Sequence, residues 1–287
     1  MNQINNQLLQ GENGKPIPVD IYWETSEKPL PILLFVHGFK GFKDWGHWEE
    51  VAKEFARAGY CFVKFNFSHN GTTPEDLLNF ADLEAFGQNN YSKELANFQT
   101  VIDWMLSENE LAQKNNWEVH NMTSIGHSRG GPIALIAAKE NTCIQQVITW
   151  AGVQELNNMW LKKEGQAAQW KKEGVYYVMN GRTKQNMPLY YQLVEDYQKN
   201  AVRLSVKNTL KDFDKPYLIL HGTNDPAVPV EAAKYLAEQA RQAELHLIDG
   251  ANHVFGGQHP FVGEDLPLHT KELIQECLSF MKKKHKK

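Results

Sequence analysis

Met122-Thr123-Ser124-Ile125-Gly126-His127-Ser128-Arg129-Gly130-Gly131 is the stretch on which the reading of this chain turns. It contains the spacing Gly-x-Ser-x-Gly. A short run with alternating apolar residues precedes it, and Pro132-Ile133-Ala134-Leu135-Ile136-Ala137-Ala138 follows. The pattern predicts a strand, a sharp turn and a helix, with Ser128 at the turn. A turn this tight forces its central residue into a strained backbone conformation, and side chains on its neighbours would collide with the helix. Gly126 and Gly130 remove those collisions. The Ser128 hydroxyl is then exposed beyond the C-terminal end of the strand, with the backbone N–H of Arg129 directed into the same space. The helix N-terminus adds positive potential where an oxyanion would form.

Strands and helices alternate on both sides of this motif. Pro16 to Trp23 reads as a strand, paired with Gln7 to Gln10 across a Gly11–Gly14 turn. Pro31 to Val36 is a continuous apolar run, as suits a strand buried on both faces. Trp45 to Ala58 is a predicted helix with Trp48, Val51, Ala52 and Phe55 on one face. Tyr60 to Phe67 is a strand, Ser68 to Asn90 a loop, and Ser92 to Glu108 a helix with a stripe of Leu95, Phe98, Ile102 and Met105. After the central motif come strands at Ile144 to Trp150, Tyr217 to Leu220 and Glu244 to Ile248, with helices at Val230 to Arg241 and Thr270 to Lys284. This alternation predicts an α/β fold with a doubly wound, mostly parallel sheet, whose working residues lie beyond the C-terminal strand ends.

The interval from Val153 to Asp214 breaks the pattern. It carries Trp160, Trp170, Tyr176, Tyr177, Tyr190, Tyr191 and Tyr197, and a hairpin signal at Asn180-Gly181. The chain is therefore read as one domain, residues 1–287, with a cap insertion at about 154–213. Most of the cap aromatics are expected to form the cap's own small core, with one or two facing a ligand.

A serine hydroxyl needs a base to take its proton and a carboxylate to hold that base in the correct tautomer. The Tyr217–Leu220 strand is followed by His221-Gly222-Thr223-Asn224-Asp225-Pro226, and the Glu244–Ile248 strand by Asp249-Gly250-Ala251-Asn252-His253. Asp225 is read as the orienting acid and His253 as the base. His246 and His259 are alternatives to His253, and Asp249 is a rival acid to which a turn role is better suited. The second oxyanion donor is expected in the loop His37-Gly38-Phe39, where the N–H of Phe39 would join that of Arg129. Two such donors could each lower a barrier by roughly 3 kcal/mol. His37 itself reads as a loop-fixing residue.

Composition narrows the function classes. Hydrophobic residues make up 42% of the chain, enough for a sizeable core, and the net charge of −4 argues against a general nucleic-acid binder. Met1 to Gln10 lacks the apolar stretch of a secretory signal, and no apolar run is long enough to span a bilayer. Cys61, Cys143 and Cys277 are scattered and read as buried reduced thiols, which implies a cytoplasmic protein. No Cys/His spacing suggests zinc, and neither a metal nor a cofactor is expected. The lysine-rich end, Lys282 to Lys287, reads as a solvated helix terminus.

With these residues in hand, the chain resembles the α/β-hydrolases. More narrowly, it resembles the serine-esterase branch near dienelactone hydrolases, cinnamoyl esterases and the catalytic domains of prolyl-oligopeptidase-type enzymes. The resemblance rests on His37-Gly38-Phe39, Gly126 to Gly131, His221 to Asp225 and Gly250-Ala251-Asn252-His253. Dienelactone hydrolases proper carry a Cys nucleophile where this chain has Ser128, and no propeller precedes the matching region. The resemblance implies a cofactor-free serine hydrolase acting on a small-molecule carboxylic ester through an acyl-enzyme. A second reading keeps the chemistry but cleaves amides or aminopeptide bonds, with Glu155, Glu173, Glu195 or Asp196 holding an amine. A third is a ligand-binding protein with an idle site. The acyl pocket is expected among the cap, the loop after Phe39 and the residues after Trp150, and an aromatic cap suits aryl or cinnamoyl esters. Lys162, Lys163, Lys171 and Lys172 make that cap too polar for a lipid-partitioning lid.

Overall fold

Apolar side chains along the central strands divide between two cores. In the strand Leu30–Val36, Ile32, Leu34 and Val36 enter one core, whereas Leu33 and Phe35 enter the other. The strand Ile144–Trp150 divides likewise, with Val147 on one face and Ile148 and Trp150 on the opposite face. Period-two alternation within a wholly apolar run is what a strand covered on both sides requires. Each buried Leu, Ile or Phe contributes about 1.5–3 kcal/mol through removal of its apolar surface from water.

The computed structural model describes residues 1–107, 109–157 and 165–283. Its first half contains β1 (Asn2–Gln10), β2 (Pro16–Trp23), β3 (Leu30–Val36), α1 (Trp48–Arg57), β4 (Cys61–Phe65), α2 (Leu83–Gly87), α3 (Tyr91–Ser107) and α4 (Asn109–Lys114). The central motif gives β5 (Trp117–His127) and α5 (Gly130–Glu140), followed by β6 (Ile144–Trp150). Next come α6 (Gln166–Glu173), β7 (Val175–Met179), β8 (Asn186–Tyr190), α7 (Gln192–Lys199), α8 (Ala201–Leu204) and α9 (Val206–Lys211). The chain closes with β9 (Tyr217–Gly222), α10 (Val230–Gln239), β10 (Ala243–Ile248) and α11 (Leu268–Lys282).

Eight strands form the main sheet in the order β1-β2-β4-β3-β5-β6-β9-β10. β2 runs antiparallel to both β1 and β4, and every pair from β4 to β10 is parallel. Helices α1 and α11 cover one face through Val51, Phe55, Leu273 and Cys277, while α3, α5 and α10 cover the other. The expected doubly wound, mostly parallel sheet is therefore present.

The differences from expectation are local. The first helix starts at Trp48, not Trp45, because tight turns occupy the approach, with Trp45 N–H bonded to the Phe42 carbonyl. The loop Ser68–Asn90 contains α2, where the Asp82 carboxylate accepts the Ala85 N–H at 2.9 Å as an N-cap. Five residues are too few for a hydrophobic period to register. The hairpin at Asn180 forms, but it closes over six residues, with Asn180 N–H bonded to Gln185 O at 2.9 Å. Cys61, Cys143 and Cys277 are all buried free thiols. Trp160, Lys162, Lys163, the end of the second expected helix at Glu108 and the tail from Lys284 lie outside the described residues.

Candidate active site

The elbow forms as its sequence requires. Ser128 sits between β5 and α5 with φ +55°, a left-handed conformation that costs a non-glycine residue about 1–2 kcal/mol. Its N–H donates to the Trp150 carbonyl at 2.8 Å and its carbonyl accepts from Gly131 N–H at 3.0 Å, which fixes the strained residue on both sides. The flanking glycines are steric necessities. A methyl group on Gly126 would lie 2.2 Å from the Gly130 carbonyl oxygen, and one on Gly130 would lie 2.5 Å from that of Val36.

β9 and β10 are neighbours in the sheet, so the loops beyond them meet. Asp225 Oδ2 accepts from His253 Nδ1 at 2.8 Å, and Oδ1 accepts the backbone N–H groups of Ala227 and Val228 at 2.8 and 2.9 Å. Burial alone would push the Asp225 carboxyl up. The bond from His253 and the two N–H groups outweigh it, and the group stays ionised below the usual carboxylate range. His253 is in turn held through its backbone, where its carbonyl accepts from His127 Nε2 at 2.8 Å. Burial pushes His127 down to about 3, so its ring is neutral and the bonded nitrogen carries the proton. This tether by His127 had no signal in the sequence beyond a variable position of the motif.

The alternatives to these residues sit elsewhere. Asp249 accepts from Thr223 Oγ1 at 3.1 Å, and Gly250 N–H donates to the same hydroxyl, so the pair closes a turn. His246 faces Glu272 and Glu276 on the outer edge. His259 accepts the Gly46 N–H at 2.8 Å through Nδ1. His37 is buried, donates from Nδ1 to Gly38 O at 2.9 Å and packs on Phe67. Burial pushes it down to about 4, consistent with a neutral loop-fixing residue.

The loop after β3 is braced from beneath. Lys43 is buried with its ammonium 2.6 Å from both Asp20 and Asp44, and buried Lys64 joins the same two carboxylates. Lys43 N–H also donates to Asn66 Oδ1 at 2.6 Å. Neither the Phe39 nor the Arg129 backbone N–H donates to any described residue, so both are free to face a ligand.

Ser128, His253, His127 and the loop from His37 to Gly41 line one cavity of about 200 Å³, together with Trp45, Trp48, Asn180 and Val254. This corrects the expected pocket. Among the described residues its aromatic wall is Phe39, Trp45 and Trp48 and includes none of the aromatics between β6 and β9, and the described residues directly after Trp150 do not line it. Trp170 is buried in its own small core with Tyr176 and Tyr191, and donates from Nε1 to Leu189 O. Tyr197 packs on Tyr91 of α3, and Tyr177 faces outward. Trp48 is buried in the core with Val51 and Phe55, as its place on their helical face predicts, and also lines the cavity, whereas Trp45 reaches the cavity from the turn before α1.

A family model described as BD-FAE matches residues 19–240. The chain belongs to the BD-FAE family. That match includes Ser128 and Asp225 and stops before His253. Solved structures agree with the fold. Est1E from Butyrivibrio proteoclasticus, bound to ferulic acid, aligns with a TM-score of 0.70 at 18% identity, covering 97% of each chain. A protein from Agrobacterium vitis S4 described as a hydrolase aligns with a TM-score of 0.71 at 18% identity, covering 98% of each chain. The esterase Est2 of Thermogutta terrifontis, bound to propionate, gives a TM-score of 0.63 at 16% identity over 96% of this chain and 93% of its own. No curated protein matches the chain. These solved structures show that the chain shares their α/β-hydrolase fold.

Proposed function

We propose that this protein is a serine carboxylesterase that works through an acyl-enzyme. The observation that carries the proposal is the Asp225–His253 bond of 2.8 Å beside a cavity shared by His253 and the strained Ser128. In this mechanism His253 takes the Ser128 proton as the hydroxyl attacks the ester carbonyl carbon. The negative charge that develops on oxygen rests on the N–H groups of Phe39 and Arg129. His253 then protonates the leaving alcohol, and a water activated by the same ring releases the acid and frees Ser128. Asp225 holds the ring in the tautomer that presents Nε2 to the serine.

The cavity supports a compact acyl group. About 200 Å³ is below the usual range of roughly 300–1,000 Å³ for drug-sized ligands, and Phe39, Trp45 and Trp48 favour a short or planar aryl acid. The four carboxylates considered for holding an amine are engaged elsewhere or exposed, and none lines the cavity. Glu155 accepts N–H groups at the start of α9 and Asp196 accepts Ser92 N–H. Esters are therefore favoured over aminopeptide substrates. The segment between β6 and β9 is proposed as a cap that contributes Asn180 to the cavity.

A fluorophosphonate probe tests the proposal. One adduct per chain is expected, with the phosphorus on the Ser128 peptide and fluoride released. Intact mass followed by peptide mapping reads it, and an unmodified wild type would overturn the assignment. On the same preparation, 4-nitrophenyl acetate and butyrate should turn over at least about tenfold faster than the dodecanoate, and the matching arylamides slower still.

A further inference from the structure

Glu94 is a carboxylate on α3, 1% exposed, beside the site but absent from the mechanism above. One of its oxygens accepts from the Arg129 guanidinium and, at 2.7 Å, from Asn89 Nδ2. Its other oxygen has no hydrogen-bond partner among the described residues. Desolvating such a pair costs several kcal/mol per ion, and apolar replacements are often as stable, so stability alone gives weak reason for it.

The Arg129 guanidinium leads back to the site. It lies 4.7 Å from the centroid of the Phe39 ring, whose neighbour on another side is Phe86 at 5.6 Å. Tyr91 lies 5.8 Å from the same guanidinium. Phe39 and Arg129 are the two residues whose backbone N–H groups are assigned to the oxyanion. They come from different places in the chain, the loop after β3 and the turn after β5, and their side chains stack on each other. A cation over an aromatic face is drawn to the ring's negative quadrupole, most strongly when desolvated as here. Phe86 and the Lys40 ammonium, 5.6 Å from the ring centroid, support the Phe39 ring on other sides, and Glu94 fixes the guanidinium that lies nearest it.

We propose that Glu94 is a positioning residue: by holding the Arg129 guanidinium against the Phe39 ring, it sets the spacing of the two oxyanion-hole N–H groups. The proposal rests on the serine-esterase reading. The donors act only within about 2.7–3.1 Å of the developing charge, so a small displacement weakens the transition state more than the bound ester.

The test uses five variants and one inhibitor. Glu94→Gln keeps volume and loses charge. Glu94→Gln with Arg129→Met removes both charges and so leaves no unpaired ion if the single variant fails to fold. Phe39→Leu removes the ring and keeps its N–H, and Ser128→Ala reports on the underlying reading. The inhibitor is a short-chain aryl trifluoromethyl ketone, which forms a tetrahedral oxyanion on the serine. Glu94→Gln and the charge-free double variant should lower kcat by about 10–100-fold with KM within about twofold. The inhibition constant of the ketone should rise by the same factor as kcat/KM falls. Glu94→Gln combined with Phe39→Leu should cost no more than the worse single change, since both break one clamp. Unchanged kcat and ketone affinity in a Glu94 variant, with only the melting temperature lowered, would reduce the ion pair to a structural role and overturn the proposal. Additive losses would overturn it too. Turnover surviving in Ser128→Ala would instead remove the serine-esterase reading on which the proposal stands.

Discussion

Ser128→Ala is expected to lower ester turnover by about 10⁴-fold or more, with the melting temperature nearly unchanged. The substitution removes one oxygen atom from the cavity wall. The backbone bonds that hold the elbow, from Ser128 N–H to Trp150 O and from Gly131 N–H to Ser128 O, do not involve that atom. Alanine at φ +55° bears about the same conformational cost as serine, so the fold is not relieved or further strained. Residual rate enhancement would come from binding and the two N–H donors alone. Asp225→Asn should give a loss of similar size for a different reason. Its retained oxygen can still accept from Ala227 and Val228. Its amide nitrogen would meet His253 Nδ1 as a donor, forcing the ring into the wrong tautomer. Steady-state kinetics on a short aryl ester, beside thermal melts, check both. A loss below about tenfold in Ser128→Ala would exclude it as the nucleophile.

The second large effect is on stability in mild acid. Among the described residues five histidines are buried; burial pushes His37, His47 and His69 from 6.5 down to about 4, His127 from 6.5 down to about 3, and His221 below its usual value as well. The unfolded chain protonates the first four of these rings as pH falls through 6.5, while the folded chain does not until pH 4 or below. Across that window the unfolded state binds more protons, so stability rises with pH and is lost as pH falls. Each ring contributes a slope of about 1.4 kcal/mol per pH unit, and together they approach about 5 kcal/mol per unit. Whole domains are stable by only about 5–15 kcal/mol, so unfolding is expected near pH 5. Asp225 works in a lower range. Its folded value is depressed, so its contribution is present above the unfolded carboxylate value and disappears only as pH falls through the folded one. Urea midpoints measured from pH 7.5 to 4.5 check the slope, and a flat midpoint between pH 7 and 5 would contradict it.

How much of this could be read in advance depended on how far apart the interacting residues lie. Gly126, Ser128 and Gly130 were legible because their constraint is local: the clashes that exclude a side chain at Gly126 come from Gly130 and Gly131. The two-faced burial of β3 was legible for the same reason, since an unbroken apolar run needs cover on both sides. Choices among like residues were narrowed but not closed. Asp249 and His246 follow or occupy strands as plausibly as Asp225 and His253 do. The adjacency of β9 and β10 brings Asp225 to His253 and turns His246 to the outer edge.

Other features had no local signal at all. Trp48 is in the core as its helical face predicts, yet it also lines the cavity, and the turn after Phe42 brings Trp45 there as well. Glu94 sits on an amphipathic helix with no local signal of its role, and its partner Arg129 lies 35 residues away. Lys43 and Lys64 are buried against Asp20 and Asp44, pairings that no local pattern signals. The chain's pattern thus decided the order of its strands and helices and the geometry of the Ser128 turn, because propensity and steric exclusion act over a few residues. Only the tertiary structure decided which acid meets which histidine, which aromatics form the cavity wall and where the buried charges pair, because those depend on loops brought together by sheet order.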